Sequence, residues 1–283
     1  LFWVDQGVKI FRVDNPHTKP FRFWEWLIRE VQLQHPDAIF LAEAFTRPKL
    51  MKGLAKLGFT QSYTYFTWRT QKWELEQYLL ELTRYPERDF YRPNFFVNTP
   101  DILPWHLQSG EPWMFKCRVA LAAALSGTYG IYNGFELLEH EPIPGKEEYL
   151  DSEKYEIKTR DWDRPGNIKP YITALNRARR ANAALQQTGN LRFLGVDDGN
   201  VIAFAKESVD GTNTVVGAIS LSRDAHEFWF SIGDVQVDVG GERRHVAAVE
   251  DLITGERRAV EWGGLHVRID PMRDPALLFR CLA

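Results

Sequence analysis

Cysteine is scarce in this chain of 283 residues: Cys117 and Cys281 stand far apart, outside any CxxC or histidine-rich spacing. That excludes a disulfide framework and gives no zinc-ligand pattern. A reducing bacterial cytoplasm is the expected setting, and neither a metal nor a cofactor is expected. Excess positive charge is missing as well: 35 Lys and Arg against 38 Asp and Glu leave a formal net charge of -3. No basic field exists to gather phosphodiesters, so nucleic acid is excluded as a partner. The densest cationic run, Arg177 to Arg180 in NRARRAN, reads as a solvated helix face. No apolar run reaches the roughly 20 residues a membrane helix needs, and even VALAAALSGTYGIY from Val119 is shorter and carries a turn signal. No membrane partner is expected. An initial Met is lacking too, and Leu1 leads at once into an apolar strand-like run, so the chain reads as the later part of a longer protein.

What is present, 44% hydrophobic and 26% charged residues, suits a globular chain with a sizeable core. Over the first 188 residues, short β-branched and aromatic runs alternate with longer stretches of helical periodicity, the pattern of βα units around a parallel sheet. The spacing predicts strands at Val8–Val13, Ala38–Ala42, Phe59–Phe66, Phe95–Asn98 and Thr128–Tyr132. Between the first two, FRFWEWLIREVQLQ puts Phe23, Trp24, Leu27, Ile28 and Val31 on one helical stripe, ended at His35-Pro36 because proline cannot continue a helix. From residue 189 to 283 the pattern becomes short alternating runs separated by turn chemistry in DGTN, VGGE and TGE, which reads as an antiparallel β-sandwich. The expected fold class is therefore α/β: about five strands of a (β/α)8 barrel over 1–188, then an all-β sandwich over 189–283.

Three acids carry the candidate chemistry. In Ile10-Phe11-Arg12-Val13-Asp14, strand alternation puts Arg12 and Asp14 on one face. A cation beside a carboxylate favours its charged form, as a nucleophile requires. In IFLAEAF the same alternation ends an apolar face on Glu43, where partial desolvation would raise its pKa toward a general acid's range. An ordinary ion pair and a polar strand end are the plain alternatives. Asp14 and Glu43 lie 29 residues apart, and Glu43 and Asp101 58, while a barrel uses about 31 residues per unit. That puts the three acids in phase, at strand ends that converge on one rim. Asp101 sits in NTPDI, whose residue types also form turns.

IFRVDNPHTKP, FLAEAFTRP and NTPDI resemble the strand-four, strand-five and strand-seven signatures of the α-amylase superfamily. With LDSEKYEIKTRDW, they resemble in particular its bacterial maltosyltransferases, which extend α-1,4-glucans from maltose 1-phosphate. The resemblance runs through all 283 residues. It implies Asp14 as nucleophile, Glu43 as acid/base, Asp101 as transition-state stabiliser and Arg12 as the group orienting Asp14. It also implies that Asn15 contacts the donor phosphate, that Lys154 and Tyr155 contact the maltosyl unit, and that the whole enzyme is a homodimer. Thr99-Pro100 before Asp101, in place of the amylases' histidine, and Pro16-His17-Thr18-Lys19 after Asp14 weigh against a plain starch hydrolase. A loop histidine such as His17 reads as hydrogen-bonded. An α-glucan hydrolase, a trehalose-type isomerase and a non-catalytic glucan-binding fragment stay open as alternatives. The resemblance places the first three barrel strands outside this chain, so the chain alone is expected to be inactive and poorly soluble.

Overall fold

The computed structural model describes residues 1–153 and 156–283. After a short helix α1 (Phe2–Asp5), five strands alternate with helices: β1 (Ile10–Asp14), α2 (Phe21–Gln34), β2 (Ile39–Glu43), α3 (Pro48–Ala55), β3 (Gln61–Tyr63), α4 (Lys72–Thr83), α5 (Glu87–Phe90), β4 (Pro93–Phe96), α6 (Pro112–Leu125), β5 (Thr128–Gly130) and α7 (Lys169–Ala181). All five strands are parallel and their order in the sheet is their order in the chain. The turn from β1 into α2 is fixed by Trp24, whose indole N–H donates to the Pro16 carbonyl at 2.7 Å. Trp24, Ile28, Phe40, Leu54 and Phe59 close the core under β1 and β2, with Leu27 and Val31 packed beside them. Phe23, expected on the buried stripe, is 39% exposed. The stripe that faces the sheet is Trp24, Leu27, Ile28 and Val31, the i, i+3, i+4, i+7 set, and Phe23 falls at its margin.

The expected strand over 59–66 is shorter than predicted. After Tyr63 the Thr64 hydroxyl accepts from the Phe66 amide and Tyr65–Trp68 form a 3-10 turn, so a β-branched and aromatic run becomes a loop through a local side-chain cap.

The rest of the chain is antiparallel. It holds β6 (Leu191–Phe193), β7 (Val201–Glu207), β8 (Thr214–Ser220), β9 (His226–Ser231), β10 (Gln236–Val239), β11 (Glu242–His245), β12 (Ala248–Asp251), β13 (Arg257–Ala259), β14 (Gly264–Ile269) and β15 (Ala276–Leu282). One sheet runs β13-β12-β15-β8-β7-β6, with the pairs β14-β9 and β10-β11 beside it. Gly240 and Gly241, at φ 65 and 90, form the two-residue β10–β11 connection, where both positions need a left-handed backbone. Val201, Ala203, Val216, Phe228, Phe230, Val267 and Phe279 share the core between these sheets. Ile202, Phe204, Ile219 and Leu278 point the other way, into one cluster with Leu75, Leu79 and Phe95 and with α6 residues such as Phe115 and Leu121. The parallel and antiparallel parts are thus joined by shared apolar packing. Cys117 and Cys281 are both buried and free, one in each cluster. Among the described residues no helix is long and apolar enough to cross a membrane.

Two cations seal the end of α6. Arg179, in the run expected to be a solvated face, donates to the carbonyls of Ser126, Leu185 and Gly127 at 2.8, 3.0 and 2.8 Å, and also to Ala123. Arg177 and Arg180 are exposed as expected. The buried Lys206 of β7 reaches the Ala124 carbonyl at 3.1 Å and also bonds to Gln187. Positive charge at a helix C-terminus is favourable, yet burial, with Arg179 nearby, lowers the Lys206 ammonium to about 7 from its ordinary 10.5. The unfolded chain therefore takes up this proton between pH 10.5 and about 7 while the folded chain does not, so wild-type stability falls across that window as pH drops. We expect the stability of wild type relative to Lys206→Met, measured by urea unfolding, to rise from pH 7 to pH 10. A difference independent of pH would contradict this.

Candidate active site

The site is built where β1 and β2 end together. Their register pairs Asp14 with Glu43 and Arg12 with Leu41, and the backbone pairing runs one step further, from the Asn15 amide to the Glu43 carbonyl at 3.0 Å. Asn15 then takes φ 44, ψ 50, a left-handed conformation that Asn tolerates better than most residues. Its carbonyl accepts from the Thr18 amide and hydroxyl at 3.0 and 2.9 Å. This turn stops the strand directly after Asp14 and leaves Asp14 and Asn15 exposed at its mouth.

Glu43 is 6% exposed. Arg12 Nη2 lies 2.8 Å from Glu43 Oε1: the arginine that strand alternation puts on the same face as Asp14 forms its ion pair with the acid on the neighbouring strand. The physical reason is the parallel register. It sets Asp14 and Glu43 side by side, so a long guanidinium two residues below Asp14 can cross to Glu43. Burial raises the Glu43 carboxyl above its ordinary 4.5; the Arg12 charge opposes this, and a hydrogen bond with Asp14 and the charges of Asp14 and Asp101 add to it. A buried carboxyl that keeps its proton to higher pH than an ordinary glutamate, beside an exposed carboxylate at the end of the neighbouring strand, supplies the two groups that acid-assisted displacement at one carbon uses.

Asp101 is reached differently from the way the spacing suggested. β4 ends at Phe96, and Asp101 lies five residues later in a tight turn, where Thr99 and Ile102 exchange backbone hydrogen bonds at 3.1 and 3.2 Å. The turn is clamped from below: Asn98 accepts from the Tyr132 amide at 2.8 Å and donates to the Tyr149 hydroxyl at 2.7 Å. From there the Asp101 charge acts on Glu43. The equal intervals do not reflect equal units. Glu43 and Tyr63 close β2 and β3 only 20 residues apart, because α3 has just eight residues.

Tyr63 and its neighbours were missed in the sequence. Burial pushes the Tyr63 phenol up, with Arg12 pulling it down, so Tyr63 belongs to the same charged cluster. Around it stand Phe45, Trp68 and Phe96, with Phe45 to Trp68 at 5.1 Å, Phe45 to Phe96 at 5.3 Å and Tyr63 to Phe96 at 5.6 Å. The Trp68 indole donates to Glu147 at 3.1 Å. The run QSYTYFTW carries aromatics across and just past the end of β3, where alternation alone predicts strand as far as Phe66. His17, expected to be hydrogen-bonded, has a buried Nδ1 without a partner among the described residues. Lys154 and Tyr155 lie outside the described residues. The flanking loop is anchored where Arg160 meets Glu139 and Glu153, each at 2.8 Å, and where the Glu153 amide donates to the Tyr132 hydroxyl at 3.2 Å. Among the described residues no cluster of His, Cys, Asp and Glu could hold a metal.

No family model matches the chain. Among curated proteins it is similar to alpha-1,4-glucan:maltose-1-phosphate maltosyltransferases: 50% identical to that of Rhodospirillum rubrum over 99% of this chain and 40% of the relative, and 49% identical to that of Pseudomonas aeruginosa over 99% and 42%. The chain thus spans about two fifths of the length of these relatives. Among solved structures, the alpha-amylase from Geobacillus thermoleovorans complexed with acarbose superposes with a TM-score of 0.76 at 14% identity, over 100% of this chain and 62% of that one. A cyclomaltodextrinase gives 0.74 at 19%, over 99% and 47%. These likenesses show a shared fold.

Proposed function

The chain is by sequence a relative of the alpha-1,4-glucan:maltose-1-phosphate maltosyltransferases, and on that premise we propose that it carries the catalytic acids of a retaining maltosyltransferase. In this reading residues 1–188 are the later five strands of a (β/α)8 barrel and residues 189–283 a terminal sandwich. The enzyme is cytoplasmic and homodimeric, acts without a cofactor, and builds α-1,4-glucan such as glycogen.

The observation that carries the proposal is the in-register pair Asp14 and Glu43 at the ends of neighbouring parallel strands, with Arg12 held against Glu43. An Asp14 oxygen attacks the anomeric carbon of α-maltose 1-phosphate. The bond to the phosphate oxygen breaks, inorganic phosphate leaves with the electron pair, and Glu43 supplies a proton to it. Glu43, now a carboxylate, takes the proton of the 4-hydroxyl at the non-reducing end of an α-1,4-glucan. That oxygen displaces Asp14, and two inversions leave the α configuration intact. Asp101 stabilises the positive charge that develops on the sugar ring, Asn15 donates to the phosphate, and Lys154 and Tyr155 hold the maltosyl unit.

The test is to incubate maltose 1-phosphate and a maltooligosaccharide with an enzyme carrying this chain at the length of its relatives, the family-length enzyme. Stoichiometric phosphate release with chain extension is expected. Reducing-sugar formation or rearrangement without phosphate dependence would favour the hydrolase or isomerase reading. We expect the 283-residue chain alone to release no phosphate, because β1 is an edge strand with Ile10 60% exposed, and such an edge also invites aggregation. Turnover by the isolated chain would overturn the part-barrel reading.

A further inference from the structure

We infer that a groove at the seam between α4 and the antiparallel part binds a stretch of α-glucan chain outside the reaction centre. The inference rests on the transferase reading for its ligand and on the following geometry for its place. β3 runs parallel to β1 and β2, so the segment after Tyr63 emerges on the side of the sheet where Asp14 and Glu43 stand. That segment passes through Trp68, beside Phe45 and Phe96, and enters α4 at Lys72. The groove begins there. Thr70, Gln71, Lys72, Trp73 and Glu76 form one wall and Asn200 stands on the other, enclosing about 300 Å³, near the lower end of the roughly 300–1,000 Å³ of small-ligand sites.

Trp73 is 66% exposed. It adds nothing to the core, and its flat apolar face is fixed in the first turn of α4, whose start is pinned by Glu74 accepting from the Thr70 and Gln71 amides, each at 3.2 Å. Glu76, three residues on, lies on the same helix face. Among the described residues neither the Glu76 carboxylate nor the side-chain carboxamide of Asn200 has a hydrogen-bond partner. An aromatic face flanked by unengaged acceptors and donors suits a neutral, many-hydroxyl ligand with one apolar face, which is what a run of glucose units presents.

The opposite wall is braced by a Ser–His–Asp chain. Asp198 accepts from the Asn200 amide at 2.6 Å and meets His226 Nδ1 at 2.6 Å, while His226 Nε2 lies 2.9 Å from the Ser220 hydroxyl. Ser220 is fully buried and its oxygen also accepts from the Ser222 amide at 3.1 Å, so it has no access to a substrate. The arrangement is a scaffold: it holds the turn bearing Asn200, and the Lys72 ammonium locks that turn to α4 through the Asp198 carbonyl at 3.1 Å.

Affinity electrophoresis of the family-length enzyme in gels containing glycogen tests the groove, with dextran as the control polymer. Glycogen is expected to retard wild type. Trp73→Ala should weaken retention about tenfold, the upper end of what an aromatic contact contributes, and Asn200→Ala should weaken it less. Trp262→Ala, which removes a 95% exposed tryptophan far along the chain, should leave it unchanged, and phosphate release with a short acceptor should be the same in all three variants. Equal retention of wild type and Trp73→Ala overturns the groove, as does wild type running freely in glycogen. Retention that depends on Trp73 without phosphate release would overturn the transferase reading and uphold the groove.

Discussion

Replacing Asp14 with alanine in the family-length enzyme is expected to reduce maltosyl transfer on the order of 10⁴- to 10⁶-fold, the range seen when a covalent catalyst loses its nucleophile. Neither remaining acid can substitute. Glu43 sits one strand away and in the proposed mechanism is the proton donor to the leaving group, and Asp101 stands in a turn beyond β4. The loss will not come from unfolding, because Asp14 is exposed at the end of its strand and the turn after it is held by backbone bonds from Asn15. Circular dichroism of the variant should match wild type. Transfer rates close to wild type would mean that the register of β1 and β2 has no chemical consequence.

Removing the acid should have a different signature. In Glu43→Ala, steady-state transfer is expected to fall roughly 10²- to 10⁴-fold, the usual contribution of a general acid and base. The two half-reactions should suffer unequally. Phosphate, with a second pKa near 6, departs without much help from a proton donor. A sugar hydroxyl is a poor nucleophile until a base removes its proton. The variant should therefore release about one equivalent of phosphate per site quickly and then stall, as rapid-quench measurement would reveal. A slow rise without a burst would place Glu43 outside the second step. In wild type, the raised Glu43 carboxyl moves proton delivery toward neutral pH, so the limb of the rate profile governed by loss of this proton should lie above that of an ordinary glutamate.

The alternation in Ile10–Asp14 and Ile39–Glu43 was enough to place two carboxylates on neighbouring strands, because a parallel pair leaves little freedom in register. Five parallel strands followed by short antiparallel ones were legible for the same reason: each period is written locally. Three things were not. The partner of Arg12 depends on which strand lies beside it. Asp101 seemed in phase only because a short unit around α3 and a long excursion after β4 compensate in residue count. The aromatic wall of Phe45, Tyr63, Trp68 and Phe96 is assembled from the ends of β3 and β4 and the connections after β2 and β3, and nothing local distinguishes those rings from core residues. Trp73 differs in that its role, as proposed, depends on exposure, which a sequence does not display.

The central claim is that Asp14 and Glu43 act on opposite sides of one displacement at a sugar carbon. Peptide mass spectrometry of the family-length Glu43→Ala enzyme, quenched in acid after brief exposure to maltose 1-phosphate, tests it most directly. The account predicts one maltosyl unit esterified to the peptide containing Asp14, absent when Asp14 is also replaced. Phosphate release with the sugar on another residue, or with no covalent adduct at any time, would contradict it.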